Sequence, residues 1–129
     1  MSISYSAVVL DEVSSNRLKQ EFGNMVPDGW EYLGHHMTIK MGELPVMFKS
    51  RIGESVELIV EKIGMDDRAM AVKVLDGGLS TNKLPHITLA VNRKNGGKPF
   101  HSNKIPLENF KSVHNRIKVI GYIKEIPHK

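Results

Sequence analysis

Apolar residues along the chain fall into short, strand-length runs separated by turn residues, and only one stretch carries a helical period. Residues 5–10 (YSAVVL) are β-branched and apolar, bounded by the polar DEVSS, and read as a buried strand. A helix is expected next, with Ser14 or Ser15 capping its free N–H groups and Leu18, Phe22 and Met25 recurring at helical spacing. Pro27-Asp28-Gly29 ends it with turn chemistry, and residues 30–33 lead into a second strand within HHMTIK. Residues 56–63 (VELIVEKI) and 69–75 (AMAVKVL) flank a short polar turn and predict an antiparallel hairpin, closed by Asp76-Gly77-Gly78. Residues 84–92 form another strand and 93–104 (RKNGGKPFHSNK) a basic, glycine-rich loop. A short helix over 107–113 and a last strand over 116–126 complete the pattern. Strands outnumber helices, and no linker or composition shift divides the chain. The expectation is one α+β domain spanning residues 1–129.

Two of these strands repeat one pattern. His36-Met37-Thr38 and His86-Ile87-Thr88 are both His-x-Thr inside apolar alternation. In a strand, side chains at i and i+2 share a face. His36, Thr38 and Lys40 therefore face one way, with Met37 and Ile39 opposite them, and His86 and Thr88 are set against Ile87 and Leu89 in the same manner. With six His and three Thr in 129 residues, chance supplies roughly 0.1 such tripeptides, so two are improbable at about the one per cent level. If the two polar faces meet, two imidazoles and two hydroxyls converge.

That set suits displacement at phosphorus. A neutral imidazole accepts a proton from an attacking oxygen and a protonated one gives a proton to the leaving oxygen. Both states are within reach near neutrality because the unperturbed pKa is about 6.5. Threonine hydroxyls can donate hydrogen bonds to non-bridging phosphate oxygens. No metal is required, and the pattern suits one poorly. As strand neighbours His35 and His36 are expected on opposite faces, and a His36–His86 pair falls short of the three protein ligands of a usual catalytic zinc site.

Composition sharpens this picture only slightly. A formal charge of +4 and a pI near 9.4 favour an anionic partner. The absence of cysteine removes disulfides, thiolate metal sites and a cysteine nucleophile. No apolar run reaches the roughly 20 residues needed to cross a bilayer, and the N-terminus reads as a strand rather than a signal peptide. A cytoplasmic location, in a cell or an infected host cell, is expected. Arg93, Lys98 and His101 make the loop after the second motif a candidate substrate clamp, as do Lys40 beside His36 and Tyr5 on the first strand. His35, His114 and His128 read as bystanders.

HHMTI and PHITLA resemble the paired H-x-[S/T] motifs of the two-histidine (2H) phosphoesterase superfamily. Its members include LigT-like RNA phosphoesterases, cyclic phosphodiesterase domains of fungal and plant tRNA ligases, and viral enzymes that destroy cyclic oligonucleotide signals. The resemblance implies two pseudo-symmetric small lobes with antiparallel sheets that form a central cleft, each giving one H-x-T strand. It implies metal-independent hydrolysis of a nucleotide phosphodiester without a cofactor, with His36 and His86 as the acid–base pair and Thr38 and Thr88 on the phosphate. The substrate would be a cyclic nucleotide or oligonucleotide, a 2′,3′-cyclic phosphate at an RNA end, or a 2′–5′ linkage. A catalytically silent nucleotide- or RNA-binding protein on the same scaffold is the alternative.

Overall fold

The alternating runs become eight strands and one α-helix in the computed structural model, which describes residues 2–128. They are β1 (Ile3–Leu10), α1 (Glu12–Phe22), β2 (Glu31–Tyr32), β3 (His36–Met41), β4 (Ser55–Met65), β5 (Ala69–Leu75), β6 (His86–Val91), β7 (Lys111–Ser112) and β8 (Lys118–Pro127). Every pairing among these strands is antiparallel. The order runs β6-β3-β1-β8-β4-β5, and β5 pairs with β6 again, so the sheet closes on itself. β2 extends the edge of β6, and β7 pairs with β4. Met37, Ile39, Leu58, Val60, Val72, Ile87, Leu89, Val119 and Ile123 are fully buried in one apolar cluster.

The helix begins three residues earlier than a Ser14 cap would place it. Asp11, not Ser14 or Ser15, is the N-cap, and its carboxylate accepts the Ser14 N–H at 2.7 Å. Asp11 holds the extended backbone that a cap needs on leaving a strand, whereas both serines already lie within α1. Their hydroxyls tie the helix down instead. Ser14 Oγ accepts the Ile120 N–H at 2.7 Å, and Ser15 Oγ donates to the Gly34 carbonyl at 3.0 Å. Leu18 and Phe22 are buried as the period implied, while Met25 sits exposed in a 3-10 turn beyond the helix. The helix expected over 107–113 is a 3-10 turn, Leu107–Asn109, followed by β7. Pro106 leaves room for only one turn before Lys111 and Ser112 pair with β4.

The two motif strands lie side by side in one sheet. Met37 pairs with Ile87 where β3 meets β6. Each motif strand pairs on its other side with a partner in the same register. Val9, Val8, Ala7 and Ser6 of β1 oppose His36, Met37, Thr38 and Lys40. Lys73, Val72, Ala71 and Met70 of β5 oppose His86, Ile87, Thr88 and Ala90. Both ladders skip the residue after the threonine, leaving Ile39 and Leu89 as bulges that bend their strands.

The bulged carbonyls are satisfied crosswise. Ile39 O accepts the Thr81 N–H at 2.8 Å and Thr38 O accepts the Ser80 hydroxyl at 2.9 Å, both from the segment before the second motif. Leu89 O and Thr88 O accept the Leu33 and Gly34 N–H groups at 2.6 and 3.0 Å, from the segment before the first. Each motif is thus held by the lead-in of the other.

The loop after β6 is anchored by close backbone approach. A Cβ on Gly97 would run into the Arg68 carbonyl and lie 2.7 Å from Asn92 O. Neither is a flexible side-chain end that could move aside. Gly97→Ala is therefore expected to destabilise the fold by about 2 kcal/mol or more, a Tm loss of roughly 5–10 °C. Thermal unfolding checks this, and an unchanged Tm would show that the loop is not pinned at this glycine.

Candidate active site

Alternation along β3 and β6 puts Met37 and Ile87 in the core and turns His36, Thr38, His86 and Thr88 to a common cavity of about 810 Å³. Tyr5, Lys40, Arg93 and Lys98 line the same cavity, as do Phe100, Thr81, Asn82 and Asn103. The four residues of the repeated tripeptide thus share one site. Tyr5 reaches it because β1 pairs with β3, and its ring lies on His36 with centroids 5.1 Å apart.

The two motif histidines differ in how their Nδ1 atoms are held. His86 Nδ1 lies 2.7 Å from the Leu84 carbonyl. A carbonyl only accepts, so Nδ1 carries the proton and Nε2 is left with its lone pair. His36 Nδ1 instead lies 3.0 Å from His35 Nδ1, with the rings edge to face. His35 was expected on the opposite face. It precedes β3 rather than belonging to it, so strand alternation does not govern its side chain, and it lines the same cavity.

Both imidazoles resist protonation. His36 is pushed down to about 4, chiefly because burial strips water from the cation, with repulsion from His35 and His86 adding to it. Burial also lowers His86, and the Leu84 carbonyl partly offsets that shift.

The basic loop borders the cavity through Arg93, Lys98, Pro99, Phe100 and Asn103. Thr88 Oγ1 lies 2.8 Å from Ser102 Oγ, which fixes the loop to the second motif. Arg93 is held by Glu31 at 2.7 Å on the rim. His101 departs from expectation. It is buried, its Nδ1 accepts the Lys98 N–H at 2.9 Å, and it does not line the cavity. Its ring is used to shape the loop, packed against Phe100.

Thr81, Asn82, Asn103 and Ser102 had no motif to mark them. Residues 76–82 are bent back onto β3 by Asp76, whose carboxylate accepts the Gly78 and Ser80 N–H groups at 3.0 and 2.7 Å. That bend brings Thr81 and Asn82 to the cavity.

A family model described as the fungal tRNA ligase phosphodiesterase domain matches residues 15–125, a span that holds both tripeptides. The chain belongs to this family, a branch of the two-histidine phosphoesterase superfamily. No curated protein matches the chain. Tyr5 lies outside the matched span of this phosphodiesterase family, although β1 carries it into the same cavity. No helix among the described residues is long and apolar enough to cross a membrane. Among the same residues, no three His, Cys, Asp or Glu side chains are grouped as metal ligands would be.

The lowered histidines link stability to pH. In the unfolded chain His36 takes up a proton near its ordinary pKa of about 6.5, whereas the folded chain resists until about 4. The unfolded state binds more protons in between, so this contribution is present above pH 6.5 and is lost as pH falls toward 4. His36→Gln should therefore reduce the acid-induced loss of stability between pH 7.5 and 4.5, by on the order of 1–3 kcal/mol. Denaturant unfolding of both proteins at the two pH values measures it. Equal pH dependence would mean that His36 is not desolvated.

Proposed function

We propose that the protein is a metal-independent phosphodiesterase acting on a nucleotide phosphodiester, with His36 and His86 as its acid–base pair. The observation that carries this reading is the convergence of both His-x-Thr pairs on one cavity in a chain of a phosphodiesterase family. Residues 1–129 act as one domain made of two related halves. The matching registers of β1 with β3 and of β5 with β6 support that division.

The scissile phosphate sits between the imidazoles. One accepts a proton from the attacking water, and the other donates a proton to the departing ribose oxygen. Thr38 and Thr88 hydrogen-bond the non-bridging oxygens, where charge is concentrated in the transition state. Lys40, Lys98 and Arg93 supply positive charge around the cavity for a second phosphate or the rest of a nucleotide chain. Tyr5 and Phe100 offer ring surfaces to a base. A cyclic nucleotide, a cyclic oligonucleotide, a 2′,3′-cyclic phosphate at an RNA end and a 2′–5′ linkage all pose this problem of displacement beside a ribose hydroxyl. The expected setting is the cytoplasm of a cell or of an infected host cell.

The mechanism needs one neutral and one protonated imidazole, and burial depresses both groups. An optimum at neutrality, as ordinary imidazoles would give, therefore moves to acid for the free protein. Binding an anionic diester between the rings favours their charged form and raises both pKa values. The kcat/KM profile should be bell-shaped with its maximum below pH 6.5, and kcat should peak at a higher pH than kcat/KM. A rate that rises and then stays flat to pH 9 would contradict two-histidine catalysis.

The substrate class is tested with a panel in EDTA: 2′,3′-cyclic mononucleotides, 2′–5′ and 3′–5′ oligonucleotides, and cyclic di- and trinucleotides. Turnover should persist in chelator and fall about 100-fold or more in both His36→Ala and His86→Ala. Tight, salt-sensitive binding without turnover would favour the silent binding protein.

A further inference from the structure

The repeated motif makes the two sides of the site look equivalent, and the Nδ1 partners make them chemically different. Leu84, which holds His86 Nδ1, stands two residues before its histidine. The corresponding residue of the first copy is Gly34, and there the partner is instead the adjacent His35. A carbonyl can only accept. An imidazole can accept, donate, or pass a proton on through its second nitrogen.

Two nitrogens 3.0 Å apart hold one proton between them, because a second would set two N–H donors against each other. Burial, with His35 and His86 close by, makes His36 a poor place for a full positive charge. His35 is exposed to solvent. A charge moved from His36 to His35 is a charge moved into water.

We propose that His35 is a positioning and relay residue for His36. It holds His36 Nδ1 and takes up or returns there the proton that His36 exchanges with substrate at Nε2. When His36 acts as base, the O–H bond of the attacking water breaks as the Nε2–H bond forms. The Nδ1–H proton of His36 passes to His35 Nδ1, leaving His36 neutral and His35 as the imidazolium, which sheds its Nε2 proton to water. When His36 acts as acid, each transfer runs in reverse, so the relay holds whichever role His36 takes. The titratable and charged groups around this pair are the Tyr5 hydroxyl from β1, His86 from β6, Lys40 from β3, and Arg93 and Lys98 from the loop. Among the described residues, none of these hydrogen-bonds His36, and His36 Nδ1 is met by His35.

This inference rests on the phosphodiesterase reading, and its test separates the two. His35→Phe keeps a ring and removes both nitrogens, while His35→Ala opens a space at an exposed position. With the substrate the wild type turns over best, kcat should fall about ten-fold or more in both variants, KM should stay near wild type, and the pH profile of kcat should shift. Added imidazole should restore rate to His35→Ala and leave His35→Phe unchanged. Wild-type kcat in His35→Phe, or no imidazole rescue of His35→Ala, would overturn the relay. In parallel, nitrogen-15 NMR of the imidazoles reads the His36 tautomer without substrate. The Nδ1 and Nε2 shifts of His36 should change in His35→Phe while those of His86 hold. Unchanged His36 shifts would overturn the proposal even if no substrate were found, whereas altered shifts without turnover would sink the phosphodiesterase reading and the relay with it, leaving His35 only as the residue that positions His36.

Discussion

Crossed hydrogen bonds between the two halves hold the site together. Thr38 and Ile39 are bound through their carbonyls by Ser80 and Thr81, and Thr88 and Leu89 by Gly34 and Leu33. Buried backbone carbonyls require partners, and bulges leave theirs outside the ladder. Because each bulge is completed by the chain that leads into the other motif, neither tripeptide can shift without releasing the other. The Met37–Ile87 pairing then fixes the distance between them with two core side chains, so the placement of four polar groups is set by apolar packing and main-chain bonds. Gly34 belongs to the same bracing. Its φ of +53° and its fit under the Tyr32 ring, 2.6 Å from Cζ for any added Cβ, leave space there for no other side chain.

The same burial that orders the imidazoles works against charging them. A desolvated cation with two like groups nearby is disfavoured, and His36 shows this most strongly. An anionic phosphate would reverse the balance, because a negative charge beside an imidazole favours its charged form. Substrate binding and histidine protonation are therefore linked in this reading, and each favours the other. Positive charge at Lys40, Lys98 and Arg93 suits an anionic ligand in this reading, and Arg93 is at the same time paired with Glu31 on the rim.

What could be read from sequence was what local period controls. The β1 strand, the 56–75 hairpin and both motif strands follow alternation and turn chemistry, and the motif strands bring their four polar residues to one cavity. Closure of the sheet was not legible, since β5–β6 and β1–β8 pairing depends on distant segments whose apolar runs fit many partners. Ser14 and Ser15 resemble caps as much as Asp11 does, and only the end of β1 decides between them. His101 looked like a substrate ligand because histidine in a basic loop is a common one, but its nitrogen satisfies the loop's own backbone. His35 lies one residue before β3, where strand alternation does not predict the direction of its side chain.

A repeated motif does not repeat everything around it. A duplicated tripeptide on matched ladders gives the same backbone twice, and the registers of β3 and β6 agree residue for residue through the threonine. Proton transfer depends on more than backbone. It depends on what holds the far nitrogen of each ring, and that atom lies beyond the motif, at Leu84 in one copy and at His35 in the other. Two identical halves can supply one acid and one base by sharing a single proton, and the bound substrate then decides which is which. In this chain the two rings already differ before substrate arrives, because a carbonyl holds one Nδ1 and a second imidazole the other.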